Sequence, residues 1–532
     1  AGFEGFLVGG ATRDLLIQAF WRGQTQQNTS PPLQSFREIV DYDFTTNATP
    51  NQIQALFPES YYTNEYGMVG VPYQHLCQLI KDNGLILPPE SIASRTQLLH
   101  QPKNTRIIDL ARASKVHRSL LSNAKVARSK QETGSSIQPP PFEITTYRCD
   151  GVYSDCRRPD NISWGKNIDQ DLERRDFSVN AMAIDIKTSV LEALYLSNNQ
   201  LPSLINLGPN DYQLIDHHQG IIDLAQKNIR TVRDPHERFA EDALRLLRAV
   251  RLACQLEFVI EPNTFAAIRD HAKQLQCVSW ERISSEFMKI LASSNPAWGI
   301  NLLDQSGLLP IILPELIEAK GIEQGGHHDS DVWTHSLESL QLCPSNDPIV
   351  RLAALLHDIG KPRTRAVSNG SITFYQHEIV SSRIADKVAT RLKFSNQQRE
   401  KLFQLVRYHM FHYQPHDTDA AIRRMIKRVG LEYIDDILDL REGDRLGSGA
   451  RRTSWRLEEL KQRIVDQLNQ PLDTTDLAIN GHDLIQHFSL KPGKMIGLIL
   501  NHLLEMVLED PTCNTPTQLF EKAKQYLQEQ QS

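Results

Sequence analysis

The sequence predicts an α+β protein: a strand-containing head over about residues 1–233, then an all-helical body. Three observations carry this. Short apolar strands alternate with helical segments between residues 1 and 80. Strand character returns at "FEITTYR" (142–148) and "DFSVNAMAIDI" (176–186). After about residue 234, apolar residues recur at helical spacing nearly to the end.

The elements follow in order. "FEGFLVGGATRDLLIQAF" (3–20) reads as a strand, a Gly9-Gly10 turn and an apolar-periodic segment. A Gly-Gly turn between strand and helix can present bare backbone N–H groups to a phosphate, or simply make a turn. "DYDFTTNATPNQIQALFP" (41–58) reads as a strand, then a helix capped by Thr49 with Pro50 at its first position. Residues 82–141 are rich in Ser, Asn, Gln and Pro and carry Arg106, Arg112, Lys115, Arg118, Lys125, Arg128 and Lys130, the composition of a partly disordered basic insertion. "ERFAEDALRLLRAVRLACQL" (237–256) reads as one amphipathic helix. Further helices are expected at 282–293, 350–358, 377–392 and 397–409.

Bulk properties bound the function. A chain of 532 residues implies two to four domains. It is 40% hydrophobic and 23% charged, ordinary for a globular protein, and no stretch reaches the roughly 20 apolar residues of a membrane span. Seven scattered cysteines without C-x-x-C pairs point to reduced thiols in a cytoplasmic setting and away from structural zinc. A net charge of −6 neither advertises nor excludes nucleic-acid binding, because local patches bind phosphates. The opening "AGFEGFLVGG" has no basic n-region and enters a strand at once, unlike a signal peptide; it also lacks an initiator Met, which leaves a fragment or a missing leader open.

Chemistry concentrates in two places. Asp41 and Asp43 flank Tyr42 on a strand, so both carboxylates point one way. Such a pair suits a divalent cation or a solvated strand face. Arg13 and Asp14 follow the Gly-Gly turn. In "ERRDFSVNAMAID", Arg174 and Arg175 can meet phosphates, and Asp176 and Asn180, four apart, share a face if that segment is helical. Phosphate-binding glycines, a carboxylate pair and two arginines jointly suggest nucleotidyl transfer. The second place is the body: His335, His357-Asp358 at a helix end before Gly-Lys-Pro, His377, His409 and Asp444. A donor set of His and carboxylate suits Mn²⁺, Fe²⁺, Co²⁺ or Ni²⁺ more than Ca²⁺.

The ordered series "LVGG-x-x-RDLL", "DYDFTT", "EITTYRCDGVYSDCRRP", "DLERRDFSVNAMAID", "IIDLAQKNIRTVRDPHERFAEDALRLLRAVRLA" and "WERISSEFMKIL" resembles the bacterial-type tRNA nucleotidyltransferases, the CCA-adding enzymes, whose superfamily includes bacterial poly(A) polymerases. The likeness runs from Leu7 to about Leu291. It implies a polymerase-β-like head in which Asp41 and Asp43 bind catalytic Mg²⁺. It also implies that Gly9, Gly10, Arg13, Arg175, Asp176, Asn180 and Arg248 bind the nucleotide, and that Asp242 and Arg245 in "EDALR" meet the Watson–Crick edge of CTP or ATP. At i and i+3 an acceptor and a donor would share one helix face; an intrahelical ion pair is the plain alternative. The family joins its strands across this region by a short segment tied to the choice between C and A. Here Met68 to Phe142 holds the insertion.

The body's histidines and aspartates resemble an HD-domain metal phosphohydrolase, which some CCA-adding enzymes carry. The implied organisation is a head to 233, a nucleotide-recognition neck at 234–315, an HD domain at 316–455 and a tRNA-binding tail at 456–532. The implied activity is template-independent addition of C and A to tRNA 3′ ends from CTP and ATP. A poly(A) polymerase, or an enzyme adding only CC or only A, is the alternative. Mg²⁺ is implied in the head and Ni²⁺, Co²⁺ or Mn²⁺ in the HD part. "AIRRMIKR" (421–428) and the basic insertion are candidate phosphate contacts, or solvated faces.

Overall fold

The computed structural model describes residues 2–25, 42–62, 67–72, 74–75, 78, 106–107, 141–150, 162–186, 212–324, 330–368 and 371–530. Asp41, and the 82–141 insertion apart from Arg106, Ile107 and Pro141, lie outside the described residues. Two units emerge, one within 1–101 and 132–312, the other within 102–131 and 313–532.

The first unit is built on a seven-stranded mixed sheet ordered β3-β4-β5-β2-β1-β8-β9. Its strands are β1 (Gly5–Val8), β2 (Asp43–Thr46), β3 (Tyr61–Tyr62), β4 (Met68–Val71), β5 (Phe142–Thr146), β8 (Ala183–Ile186) and β9 (Tyr212–Ile215); β6 (Arg148–Asp150) and β7 (Ile162–Trp164) form a separate hairpin. Only β2 and β5 run parallel. Strand alternation decides what each face carries. Leu7, Ile184, Tyr42 and Phe44 pack with Ala11 and Leu15 of α1 (Gly9–Thr25). Phe6, Val8, Ala183 and Tyr147 pack with Ile168 and Leu172 of α3 (Ile168–Glu173). Asp43, between Tyr42 and Phe44, therefore pleats toward the α3 face. Helix α2 (Pro50–Leu56) starts as the sequence predicts, at N-cap Thr49 with Pro50 next and a capping box to Gln52.

Helices complete the unit: α4 (Gly220–Gln226), α5 (Pro235–Glu241), α6 (Leu244–Leu256), α7 (Pro262–His271), α8 (Trp280–Leu291), α9 (Pro296–Gln305) and α10 (Leu309–Ile312), with a parallel pair β10 (Asn228–Ile229) and β11 (Val259–Ile260). Two expectations are corrected. The single helix over 237–256 is broken, because Asp242 is extended (φ −141°, ψ 105°) and its carboxylate accepts the Leu244 N–H that opens α6. The segment "DFSVN" is neither strand nor α-helix: Phe177 makes one bridge to Thr231, and Ser178–Asn180 is a 3-10 turn ahead of β8.

The second unit is helical: α11 (Pro314–Ile317), α12 (Val332–Leu342), α13 (Pro348–Leu356), α14 (Lys361–Thr364), α15 (His377–Arg391), α16 (Asn396–Tyr408), α17 (Asp419–Val429), α18 (Ile434–Gly447), α19 (Trp455–Gln467), α20 (Gly481–Phe488), α21 (Lys494–Glu509) and α22 (Pro516–Glu529), plus the hairpin β12 (Ala366–Ser368) and β13 (Ser371–Thr373). Glycines set its closest approaches. A Cβ on Gly447 would meet the Ser339 N at 2.7 Å, and one on Gly443 the Ser339 O at 2.7 Å, so α18 lies directly on α12. A Cβ on Gly360 would meet the His377 O at 2.5 Å, which draws the end of α13 onto α15. No helix among the described residues is long and apolar enough to cross a membrane. The described cysteines form no disulfide.

The candidate phosphate contacts of this unit are corrected in part. Arg423 is buried and donates to the Leu508 O (2.8 Å), the Gln467 Oε1 (2.6 Å) and the Glu509 O (3.2 Å), stapling α17 to the end of α21. Arg424 pairs with Glu509, and Lys427 with Glu505 at 2.5 Å. Of the basic residues in 421–428, Arg428 is the one classed as exposed. Arg106 of the insertion pairs with Asp436 (3.1 Å) and Asp435 (3.7 Å) on α18.

Near that contact, Asp439 is pushed up to about 6, by burial first and then by Asp436, while Arg106 pulls the other way. A raised carboxyl means the folded state holds an extra proton between about pH 4 and 6. Stability is therefore fully present at low pH and lost as pH rises through 6. Asp439→Asn is expected to stabilise this unit by about 2 kcal/mol at pH 8 and hardly at all at pH 4. Calorimetry at the two pH values checks it, and equal shifts at both would refute the assignment.

Candidate functional site

In the head, the strand-to-helix junction gathers the first group. Gly9 has φ +70°, and a Cβ there would lie 3.1 Å from the Asp43 Oδ2 and 3.3 Å from the Arg175 Nη1. The turn thus needs glycine both for its left-handed backbone and to admit a carboxylate and a guanidinium side by side. Register adds another acid. Asp43 pairs with Glu143 across the parallel β2–β5 ladder, so the two side chains stand on the same face of adjacent strands. Arg13 donates from Nη1 to the Asn180 Oδ1 at 2.8 Å, and Arg175 from Nη1 to the Asn180 O at 3.3 Å. Gly9, Arg13, Asp43, Arg175 and Asn180 are therefore brought together. Gly10 opens the first turn of α1 beside them.

Asp171 organises the arginines from beneath. It is fully buried and accepts from Arg174 (2.5 Å) and Arg175 (3.0 Å). Burial alone would raise its carboxyl, but Arg174 and Arg175 hold it below the usual range. Asp176 points elsewhere, to the Arg248 Nη2 at 2.6 Å. Burial opposes its ionisation, and Arg248, Arg245 and Arg251 overcome that. Asp176 and Asn180 do not share a helical face, because the chain between them turns.

Asp242 and Arg245 make neither an intrahelical pair nor one helix face, since Asp242 lies in the break before α6. Asp242 pairs with the Arg282 Nη2 of α8 at 2.8 Å. Arg245 pairs with Glu241 at 2.5 Å and donates to the Arg238 O (3.0 Å) and the Arg174 O (3.2 Å).

In the second unit all six expected side chains converge. His335 (α12) and His357 (end of α13) face each other Nε2 to Nε2 at 3.1 Å; His377 (start of α15) and His409 (end of α16) do so at 3.4 Å. Asp358 lies between the pairs. Its Oδ2 is 3.4 Å from His335 and 3.2 Å from His357, and its Oδ1 is 3.2 Å from His377 and 3.7 Å from His409. The Asp444 Oδ1 closes the first group, 3.3 Å from His335 and 3.7 Å from His357. The Gly443 and Gly447 contacts with α12 are what bring Asp444 there.

This donor set fits metal ions. His357, His377 and His409 each place Nδ1 against a backbone carbonyl, of Ala354 (2.7 Å), Phe374 (2.8 Å) and Val406 (2.8 Å). A neutral ring that donates there turns a bare Nε2 lone pair inward. Facing lone pairs repel unless a cation or proton sits between them. The local charge already favours one: burial would lower His335, yet Asp358 and Asp444 push it up to about 9. His377 is also raised, by Asp358 against burial, whereas burial lowers His409. Burial disfavours charge on Asp358 and Asp444 too, but Asp358 is held well below the usual range by His357 and Lys361, and Asp444 below it by His335 and His357. Two overlapping groups that could hold an ion result, His335–His357–Asp358 and Asp358–His377–His409.

Comparison with known proteins decides the family. Three family models match: "Poly A polymerase head domain" over 95–230, "Probable RNA and SrmB- binding site of polymerase A" over 257–320, and tRNA nucleotidyltransferase domain 2 over 374–523. The A-adding tRNA nucleotidyltransferase of Deinococcus radiodurans is 32% identical over 354 residues, covering 64% of this chain and 75% of that protein. The chain belongs to the tRNA nucleotidyltransferase family. The CC-adding tRNA nucleotidyltransferase of Thermus thermophilus is 34% identical over 299 residues (54% of this chain, 67% of that one). The CCA-adding enzyme of Lactococcus lactis is 27% identical over 530 residues (99% and 94%). The fold matches the crystal structure of a Bacillus stearothermophilus CCA-adding enzyme in complex with CTP, at TM-score 0.59 and 20% identity, over 100% of this chain and 95% of that one. This tRNA nucleotidyltransferase thus has a polymerase-β-like head with a mixed sheet, followed by a helical body.

Several residues with a place in these sites escape sequence reading. Asp171 could have been found as the acid three and four positions before Arg174 and Arg175. Glu143 could not, because nothing in the sequence says that β5 runs parallel beside β2. Lys361, 2.6 Å from the Asp358 Oδ2, and Arg441, 2.7 Å from the Asp444 Oδ2, each hold the outer edge of a cluster carboxylate. Both sit three residues from their aspartate, a spacing that could have found them.

Proposed function

We propose that this chain adds C and A nucleotides to tRNA 3′ ends from CTP and ATP, without a nucleic-acid template, in the cytoplasm. The observation that carries the reading is the junction of Gly9, Asp43, Glu143 and Arg175, backed by family membership. Asp43 and Glu143, with Asp41 expected two residues before Asp43, are hard oxygen donors of the kind Mg²⁺ takes. Bound there, Mg²⁺ would neutralise the triphosphate and lower the pKa of the attacking hydroxyl. Arg175, and the backbone N–H groups of the Gly9-Gly10 turn at the positive end of α1, hold the triphosphate. Arg13 orients Asn180 toward the same place. Asp242 as acceptor and Arg245 as donor select the base. The tRNA 3′-oxygen then bonds to the α-phosphorus, the bond to the β-phosphate oxygen breaks, and pyrophosphate leaves.

The nucleotide range is tested with tRNAs that lack all three, the last two or the last one of the 3′-terminal C, C and A, each given CTP or ATP alone. Addition of C to the first two and A to the third is the expected result. A-only or CC-only addition would narrow the reading, and an unlimited A tail would replace it with a poly(A) polymerase.

The six-residue cluster supports a second activity in an HD-type domain: metal-dependent hydrolysis of 2′,3′-cyclic or terminal phosphates on RNA ends. His335, His357, Asp358 and Asp444 would hold one ion and His377, His409 and the second oxygen of Asp358 another, with Mn²⁺, Co²⁺ or Ni²⁺ suiting the imidazoles. Such ions would supply an activated water and polarise the phosphate.

Gly9→Ala gives a further prediction at the first site. The substitution meets a left-handed backbone and two polar atoms within 3.3 Å. It is expected to cost about 1–2 kcal/mol of head stability and at least tenfold in kcat. Full activity with an unchanged melting temperature would separate Gly9 from the site.

A further inference from the structure

Asp242 is held from a helix to which neither the sequence nor the reaction assigns a task. Its Oδ1 accepts the Leu244 N–H at 3.0 Å, and its Oδ2 faces the Arg282 Nη2 at 2.8 Å. Arg282 stands in the first turn of α8, whose Ile283, Phe287, Ile290 and Leu291 are buried and pack the helix against α6. Its guanidinium therefore springs from a fixed place. Arg245 is fixed as firmly from the other side. Three of its five N–H bonds are taken by Glu241, the Arg238 O and the Arg174 O. Asp242 keeps roughly two of four lone-pair sites.

We propose that Arg282 is a positioning residue for nucleotide selection: by holding one oxygen of Asp242 it fixes the carboxylate in the orientation that presents its remaining lone pairs to the incoming base. This rests on the reading of Asp242 and Arg245 as the base-contacting pair. Released from Arg282, the carboxylate would keep only its bond from the Leu244 N–H and could turn about it, and an acceptor that must match one base edge loses its direction. A rigid acceptor rejects a wrong base because the mismatch leaves a desolvated polar group unsatisfied; a mobile one adapts.

The experiment compares wild type, Arg282→Met, Arg282→Lys and Asp242→Asn on one truncated tRNA, with kcat and KM measured separately for CTP, ATP, UTP and GTP. Arg282→Met, close in length, is expected to lower the cognate-to-noncognate ratio of kcat/KM at least tenfold, mainly through KM for the cognate nucleotide. Arg282→Lys, which keeps the charge but not the planar fork, should recover part of that ratio, and Asp242→Asn should lose as much as Arg282→Met or more. If Arg282→Met lowers kcat equally for all four nucleotides while Asp242→Asn shifts the ratios, Arg282 is a structural staple and the proposal is overturned, with the base-contacting pair still standing. If Asp242→Asn leaves the ratios unchanged, the pair reading falls and takes the positioning role with it. Should Arg282→Met fail to fold, Arg282→Gln is measured in its place under the same criteria.

Discussion

Asp43→Ala is expected to lower kcat for nucleotide addition by at least about 10³-fold while tRNA affinity stays within about twofold, because a group that acts on the transferring phosphoryl is felt in the transition state far more than in RNA binding. The expectation comes from the Gly9 junction. Asp43 sits on the α3 face of the sheet, where its carboxylate meets the first turn of α1 and the Arg175 guanidinium. Glu143→Gln should cost less, about 10-fold to 100-fold, since it stands beside Asp43 by register but further from that turn. Filter binding of a truncated tRNA and single-turnover addition in Mg²⁺ provide the two measurements. Robust addition by Asp43→Ala would remove the head junction from the chemistry.

The paired substitution His357→Ala with Asp358→Ala carries the second large effect. It should abolish transition-metal-dependent hydrolysis of 2′,3′-cyclic phosphate ends and leave nucleotide addition within about threefold of wild type. The ligand types differ between the sites, carboxylates in one and imidazoles in the other, so the metals they prefer differ. Asp358 is the shared residue, with one oxygen toward each histidine pair. Metal content, measured by mass spectrometry after equilibration with Mn²⁺ or Ni²⁺, should therefore drop by close to two ions per chain, not one. Binding should weaken as pH falls, because protons compete for the same imidazole lone pairs. If the wild-type chain binds no transition metal and hydrolyses no such end, the cluster is a buried polar scaffold, and the second activity is wrong.

Much of this was written in local sequence. Thr49-Pro50 starts a helix because its cap and fixed φ are properties of two residues. Apolar spacing gave α13, α15 and α16 within two residues of their ends. The tyrosine and phenylalanine flanking Asp43 set its face through strand alternation alone. The same holds for His357-Asp358, placed at a helix end by the Gly-Lys-Pro that follows. What the sequence left undecided depends on which elements meet. Glu143 lies a hundred residues from Asp43 and joins it only through a parallel ladder. Asp242 looked like part of a continuous helix, because helical periodicity does not register a carboxylate that caps the next turn and pairs with Arg282 forty residues away. "AIRRMIKR" read as either a phosphate-binding or a solvated face until the end of α21 supplied carbonyls to Arg423 and glutamates to Arg424 and Lys427. Periodicity and local hydrogen bonding are encoded within a few residues. The partner of a charge is chosen by packing, so a single chain of letters determines which groups exist here, and only the tertiary structure decided what each one holds.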